Sequence, residues 1–237
     1  MSTAAVTVAK REIKTYFNSP VAYIVVTVFM LIAGYLYWSQ LFLEKQAELR
    51  YYFTLTPLLF TFIVPAITMR LLAEEKGSGT LEMLITMPVR DWEVVFGKFL
   101  AGMAMLAAII GMTCFYAISL ALLGPVDKGP LITGYLGLLL MGGAYVSIGV
   151  MASSLTRNQI VAFILSFAIS FALFIFGQVM QYAPDWIAPV LAFLSMGNHF
   201  ESLSRGVIDS RDVIYYVSVM VVSLVIATVS LQSRKWK

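Results

Sequence analysis

Few side chains in this sequence could perform chemistry. The chain has one cysteine, Cys114, and one histidine, His199, so it lacks the His/Cys cluster that zinc and iron sites use. The only Gly-Lys pair, Gly97-Lys98, is followed by Phe99, whereas a phosphate-binding loop needs serine or threonine after the lysine. Gly77-Ser78-Gly79 lacks the lysine altogether. The sequence therefore predicts no catalytic residue, metal site or nucleotide site in this chain.

The composition is that of a membrane protein. Of the 237 residues, 60% are hydrophobic and 12% are charged, and the mean hydropathy is +0.86. Soluble domains are roughly half apolar and a quarter charged, so a water-soluble globule is excluded. The net charge of +3 is too small to indicate a nucleic-acid-binding protein.

Uncharged runs predict six spans, because a charge at the bilayer centre is costly and about 20 residues cross the hydrocarbon core. We treat residues 1–237 as a single transmembrane domain with spans at about 21–43, 51–70, 94–123, 131–154, 159–182 and 212–232. A seventh run, Trp186–Phe200, is too short to cross and contains Pro189 and Gly197. Residues 183–211 are therefore expected to form a re-entrant or interfacial hairpin.

Six spans place both chain ends on one side, and the basic residues indicate which side that is. The side that holds both chain ends carries eleven Lys and Arg residues, and the loops of the opposite side carry five. By the positive-inside rule, the side with the chain ends is cytoplasmic. The first apolar run is longer than the core of a signal peptide and no small-residue cleavage site follows it, so we expect the N-terminus to be retained.

An amphipathic stretch precedes the first span. Lys10, Arg11 and Lys14 lie off its apolar face, which consists of Val6, Ala9, Ile13, Tyr16 and Phe17. Two interpretations are open: a helix lying on the inner leaflet, or a basic flank that only orients the first span. Ser19 and Pro20 then predict a break, with Pro20 as the first helical residue of the span.

The longest charged stretch, residues 70–93, separates the second span from the third. Gly77 and Gly79 are expected to end the helix that continues from the second span, and Thr80 to cap a short helix at about 80–88. Asp91 is expected to cap the third span. The short helix has Glu82 in its first turn and an apolar stripe made of Leu81, Leu84, Ile85 and Pro88. This stripe either rests on lipid headgroups and the chain's own helix ends or docks a cytoplasmic partner.

The residues of this loop also carry a family resemblance. Glu74-Glu75-Lys76-x-x-Gly79-Thr80-Leu81-Glu82-x-Leu84-Ile85-x-x-Pro88-Val89 closely resembles the signature loop of ABC-2 type transporter permeases, the membrane subunits of ATP-driven exporters. Ser19-Pro20-x-x-Tyr23 and Pro65-Ala-Ile-Thr-Met-Arg70 look like the branch named for gliding-motility ABC permeases. The resemblance covers the whole layout of the chain.

The resemblance implies an all-α integral membrane fold like that of type V ABC exporters: six spans, an N-terminal interfacial helix, a cytoplasmic coupling helix and an extracellular re-entrant hairpin. It implies a bacterial inner-membrane protein whose partners are two separate ATPase subunits, which hold ATP and Mg, and a second permease subunit, identical or different; it also allows an auxiliary membrane or periplasmic subunit. The residues it assigns to ATPase coupling are Glu74, Glu75, Gly79, Thr80, Leu81, Glu82, Leu84, Ile85, Pro88 and Arg157. Arg157 alone could equally be a charge that sets the topology. The alternative function is a membrane anchor or mechanical component that transports nothing.

Polar and small residues within the spans leave further alternatives open. No Asp, Glu, Lys or Arg lies well inside a span, which weighs against an ion-coupled carrier, and no His pair, Asp pair or Ser/Lys arrangement indicates a membrane enzyme. Gly142, Gly149 and Ser153 share a face that packs within the subunit or against a second permease. Gln178 and Gln181 either line an exit path or meet headgroups. His199 and Glu201 either have an extracellular binding role or lie on a solvated loop surface, and we expect the second.

Overall fold

A computed structural model describes residues 3–44, 49–80, 90–123 and 127–233. Within these ranges the chain forms ten α-helices and one short 3-10 turn. They are α1 (Thr3–Asn18), α2 (Pro20–Glu44), α3 (Arg50–Thr68), α4 (Arg70–Ser78), α5 (Asp91–Leu123), α6 (Lys128–Leu155), α7 (Gln159–Val179, followed by the turn Met180–Tyr182), α8 (Ala188–Leu194), α9 (Met196–Ser204) and α10 (Ser210–Gln232).

Six helical segments in the described part of the chain are long and apolar enough to cross a membrane. They are Pro20–Ser39, Tyr51–Ser78, Asp91–Leu123, Lys128–Leu155, Gln159–Tyr182 and Ser210–Gln232. The expected all-helical, six-span architecture is therefore confirmed. The second segment runs through Met69 from α3 into α4, so this helical path is longer than the span expected at 51–70.

Helix α6 is the centre of the bundle. In its most apolar stretch 78% of the residues are buried, compared with 17% in α7. It packs against α3, α5, α7, α9 and α10. Its glycines explain this central position. In a membrane no hydrophobic effect drives helices together, so association depends on close packing, and small residues let neighbouring helices approach closely.

The helix boundaries follow local sequence signals. Pro20 begins α2 directly after Ser19, as expected from its fixed φ and missing N–H. Gly79 ends α4 with φ +75°, a left-handed conformation that favours glycine. Asp91 was expected as a cap but is the first helical residue of α5; the carboxylate of Glu93 instead accepts a hydrogen bond from Arg90 N at 3.0 Å.

The two ends of the bundle carry different accessory elements. At one end, which we call the α4 end, lie α1, α4, the start of α5 and the short connection 156–158 between α6 and α7. At the other end lie the two short helices α8 and α9, beside the end of α7 and the start of α10; we call it the hairpin end, after the hairpin expected at 183–211. The alternation of six long helices separates these two sets of elements by the thickness of the bundle.

Candidate functional site

A buried lysine joins three elements at the α4 end. Lys98, in the second turn of α5, has a side chain that is 1% exposed. Its Nζ lies 2.9 Å from Glu12 Oε1 of α1 and 3.0 Å from Glu75 Oε2 of α4. A buried charge is costly unless it is paired, and two carboxylates supply that pairing here. The ion cluster thus holds α1 and α4 to the start of α5.

Close backbone contact reinforces the junction between α1 and α5. A Cβ added at Gly97 would lie 2.8 Å from Ala5 O and 2.9 Å from Val8 Cβ, so only glycine fits without movement. Further along α1, Tyr16 OH donates a hydrogen bond to Ile67 O of α3 at 2.8 Å. Burial raises the pKa of Tyr16 above its ordinary value, so this hydroxyl stays protonated. Helix α1 is therefore fixed at both its beginning and its end.

The face of α1 that packs on the protein overlaps only in part with the apolar face expected for it: Ala9 and Tyr16 belong to both. Ala5 and Ala9 are buried, and Glu12 and Tyr16 follow on the same side. Phe17, which was expected on the apolar face, is 47% exposed. Helical periodicity grouped the apolar residues, but it could not show that an ion pair with Lys98 places Glu12 on the packed side.

Helix α4 begins against α6 through one hydroxyl group. Ser153 Oγ accepts hydrogen bonds from Leu72 N and Ala73 N, each at 2.9 Å, and donates one to Met69 O at 3.0 Å. The first-turn N–H groups of a helix have no partner within it. Ser153 satisfies two of these groups from a neighbouring helix, so α4 is fixed in both position and orientation.

The end of α4 is held by the connection that follows α6. The ammonium group of Lys76, which is 5% exposed, donates to Ser154 O, and this oxygen also accepts from Ser230 Oγ of α10 at 2.9 Å. A Cβ added at Gly77 would lie 2.8 Å from Arg157 O. Helix α4 thus rests directly on residues 154–157, while the side chain of Arg157 is exposed.

The remaining signature residues lie on the exposed side of α4. Arg70 Nε is 3.0 Å from Glu74 Oε2, and Arg70 Nη1 donates to Ser19 Oγ at 2.7 Å. Gly79 and Thr80 end the described segment in exposed positions. A cavity of about 240 Å³ lies between α1 and α4 and is lined by Arg11, Glu12, Thr15, Tyr16, Ser19, Arg70, Leu71, Glu74, Glu75, Ser78 and Thr80.

The structure brings together the described part of the expected coupling site. Glu74, Glu75, Gly79, Thr80 and Arg157 all lie at the α4 end. The expected coupling helix lies outside the described residues, and with it Leu81, Glu82, Leu84, Ile85 and Pro88.

The small-residue face of α6 is filled by atoms of the same chain. A Cβ added at Gly142 would lie 2.5 Å from Leu106 Cδ2, and one added at Gly149 would lie 1.9 Å from Thr68 Oγ1. Ser153 completes this face through its contacts with α4. We therefore assign it to packing within the chain rather than to a second permease or a pathway. Gln178 and Gln181 are exposed at the hairpin end.

The sequence did not reveal the two ionic groups that hold the helices together. Lys98 counted only as a basic residue that sets the topology, and Glu12 lies on the amphipathic stretch without being part of its apolar pattern. His199 was expected on a solvated surface beside Glu201. Instead its side chain is 13% exposed and pairs with Asp212, while Glu201 pairs with Arg205. The available signal was a lysine close to the beginning of the span expected at about 94–123.

The fold and this junction define a class of protein: a helical membrane protein of six spans whose charged accessory helices are anchored at one end. A model of the ABC-2 family transporter proteins matches residues 6–236. The chain belongs to this family, whose members are membrane subunits of transporters that work with ATPase subunits.

Two curated relatives are similar over part of their length. The chain is 27% identical over 157 residues to the probable multidrug ABC transporter permease YbhR of Escherichia coli strain K12, and equally to that of Escherichia coli O157:H7. The matched region covers 65% of this chain and 42% of each relative. The match thus spans less than half the length of these relatives.

Proposed function

We propose that this chain is the permease subunit of an ATP-driven exporter in the bacterial inner membrane, with the α4 end and both termini in the cytoplasm. Two ATPase subunits that bind ATP and Mg dock at residues 80–88, and a second permease subunit, identical or different, completes the transmembrane pathway. The chain itself binds no nucleotide. The family membership and the excess of basic residues at the α4 end support this arrangement.

One observation carries the proposal: α4, from which the signature stretch continues, is fixed on three sides. Lys98 ties it to α1 and α5, Ser153 ties its first turn to α6, and Gly77 rests on Arg157 O. A displacement applied at residues 80–88 is therefore transmitted through α4 to several spans at once, because close-packed elements shift as units. Such a joint suits a subunit that receives motion from an external ATPase.

The cargo that we propose is apolar or amphipathic, such as a drug-like or lipid-like molecule. The relatives carry the name of a multidrug permease, and the six spans are free of charge in their centres. The exposed amides of Gln178 and Gln181 would meet such a molecule where it leaves the bilayer at the hairpin end. The narrower resemblance to gliding-motility permeases stays a prediction.

Coupling is tested by affinity purification from the native host in mild detergent. We expect the wild-type chain to recover an ATPase with a phosphate-binding loop, and Leu84→Asp to lose it, because the charge falls on the apolar stripe. Met83→Asp is the matched control: it introduces the same charge one residue away, on the opposite side of the expected helix. Equal recovery with both variants would contradict the docking assignment.

Transport is tested separately in proteoliposomes that contain the purified permease and its ATPase. We expect ATP added on the side of the α4 end to move a fluorescent amphipathic dye toward the hairpin end. An ATPase that is bound and stimulated while no dye moves would favour the alternative function, a membrane anchor.

A further inference from the structure

The chain's one histidine, His199, lies at the hairpin end, and its side chain is 13% exposed. His199, in α9, stacks on Tyr215 of α10 with ring centroids 4.1 Å apart and planes 21° apart. Phe193 of α8 and Tyr216 of α10 meet the imidazole edge-on at 6.1 and 6.4 Å. The imidazole thus lies between the hairpin and the start of α10, away from the ion cluster of the α4 end.

Both ring nitrogens of His199 face oxygen atoms that accept hydrogen bonds. Nδ1 lies 2.7 Å from Asp212 Oδ1, and Nε2 lies 3.0 Å from Phe193 O. A neutral imidazole carries one N–H and one bare nitrogen, so beside an ionised carboxylate it could satisfy only one of these contacts. The geometry instead requires one additional proton, carried as an imidazolium beside a carboxylate or as a carboxylic acid beside a neutral imidazole.

The burial of Asp212 also favours one additional proton on the His199–Asp212 pair. Asp212 is 6% exposed, and its second oxygen, Oδ2, has no hydrogen-bond partner in the described part of the chain. A lone carboxylate in this position would be a buried and uncompensated charge, which is costly. Aromatic rings around an imidazolium further stabilise its positive charge.

We propose that His199 and Asp212 hold one shared proton that fastens α8 and α9 to α10, and that the fastening weakens as the pH rises. When the proton leaves to water, a bare nitrogen faces an acceptor oxygen and the pair is left with one negative charge. Two tyrosine ties are independent of this proton: Tyr215 OH donates to Leu194 O at 2.6 Å and Tyr216 OH to Met196 O at 2.8 Å. The hairpin therefore loosens on deprotonation but stays attached.

The charged and titratable groups that face His199 come from one helix. Asp212, Tyr215 and Tyr216 are all on α10, whereas α8 contributes the uncharged Phe193. On α9 itself, Glu201 and Arg205 pair with each other in exposed positions. Helix α9 also packs on α3, α6 and α7, and within the described ranges no charged residue of these helices contacts His199. In the proposed topology this end faces outward, so the proton would come from the external medium.

The first test reads the proton directly, because a single histidine gives a single set of signals. Nitrogen-15 histidine-labelled protein, purified in detergent micelles with a tag that contains no histidine, is titrated from about pH 5 to about pH 9, on either side of the ordinary range of histidine. We expect the pair to lose one proton as the pH rises, either from a second protonated ring nitrogen of His199 or from the carboxyl group of Asp212, whose carbon-13 signal is followed in the same titration. A bare ring nitrogen together with an ionised Asp212 at the acidic end would overturn the proposal.

The second test measures the fastening by hydrogen exchange of residues 188–204, corrected for intrinsic rates. We expect wild-type protection to fall about tenfold in parallel with the loss of the proton. In Asp212→Asn the amide can donate to a neutral imidazole, so protection should stay high and independent of pH. Tyr216→Phe should lower protection at every pH without changing its pH dependence. The proposed fastening would be refuted by wild-type protection that does not change with the loss of the proton. It would also be refuted by an Asp212→Asn protein with the wild-type pH profile. Both tests need no ATPase, so they stand apart from the proposed function.

Discussion

The two ends of the helix bundle are each closed by a buried ionic contact, but the contacts differ in kind. At the α4 end a lysine pairs with two carboxylates from two other helices. A Cβ added at Gly97 or Gly77 would lie 2.8 Å from a backbone oxygen of a neighbouring element, so the backbones are in close contact there. At the hairpin end a histidine pairs with one carboxylate, and side chains rather than backbone fill the space between the elements. The ordinary pKa of lysine lies far above the physiological range, whereas that of histidine lies within it. One end is thus built as a permanent joint and the other as an adjustable one.

The strongest test of this difference removes the permanent charge. Lys98→Met leaves Glu12 and Glu75, whose side chains are 15% and 19% exposed, beside each other without the lysine, and we expect the free energy of unfolding to fall by about 3 kcal/mol. Thermal unfolding in detergent, followed by tryptophan fluorescence, measures the loss. The triple variant Lys98→Met, Glu12→Gln, Glu75→Gln removes the unpaired charges as well and should recover most of the stability. If Lys98→Met alone melts like the wild type, charge does not hold this joint.

A matched pair of glycine substitutions compares the packing at the two ends. A Cβ in Gly149→Ala would lie 1.9 Å from Thr68 Oγ1, on a stiff β-branched side chain of a buried helix, so we expect a loss of about 1–3 kcal/mol. In Gly177→Ala the new Cβ would meet Ser195 Oγ at 2.5 Å and Asn198 Oδ1 at 2.8 Å. These polar side chains can turn away, and the expected cost is about 1 kcal/mol, the loss of the Ser195 cap of α9.

Gly111→Ala is the control for both substitutions, because a Cβ there has nothing within 4 Å. Its stability should equal or slightly exceed that of the wild type, since alanine favours the helix by roughly 0.5–1 kcal/mol. The same thermal unfolding measurement serves all three variants. An equal cost at Gly149 and Gly177 would remove the packing difference between the ends.

The smallest expected effect concerns the tie between α1 and α3. Tyr16→Phe removes the hydrogen bond to Ile67 O and should cost about 1 kcal/mol at neutral pH. Because burial raises the folded-state pKa of Tyr16 above its ordinary value of 10.0, the stabilisation is complete below pH 10.0 and is lost as the pH rises beyond it. Unfolding curves at increasing alkaline pH should therefore bring the wild type and the variant together. Tyr23→Phe is the control at an exposed position of α2: it also removes a hydroxyl that donates to a backbone oxygen, Phe17 O at 2.9 Å, and should cost less than Tyr16→Phe at neutral pH.

The sequence was most informative where a signal acts along the chain itself. Charge-free runs indicated the six spans. Pro20 indicated the start of α2 and Gly79 the end of α4, because a proline and a left-handed glycine act on the backbone locally. The prediction that Asp91 caps the third span was wrong, since Asp91 is the first helical residue of α5. The carboxylate of Glu93 accepts the hydrogen bond from the N–H of Arg90. The role of Arg157 in ATPase coupling stays a prediction, although the structure places Gly77 against its carbonyl oxygen.

Contacts between distant residues were beyond the sequence. Glu12 and Lys98 are separated by 86 positions, and Ser153 lies 81 positions from Leu72. Periodicity can group residues on one face of a helix, but it does not say which neighbouring helix that face meets. The solvated position expected for His199 was wrong for the same reason: its partner Asp212 lies 13 positions away in the chain and close to it only in space.

The sequence by itself determined the solvent, the class and the number of spans, because hydrophobicity and charge act additively along the chain and need no knowledge of its neighbours. Its signature loop also indicated the family that the comparisons show. Only the tertiary structure decided which charges are buried and with what partners: Lys98 with Glu12 and Glu75, His199 with Asp212. A buried charge is tolerated only where opposite charges or hydrogen-bonding groups converge, and that convergence exists only once helices far apart in the sequence have packed together.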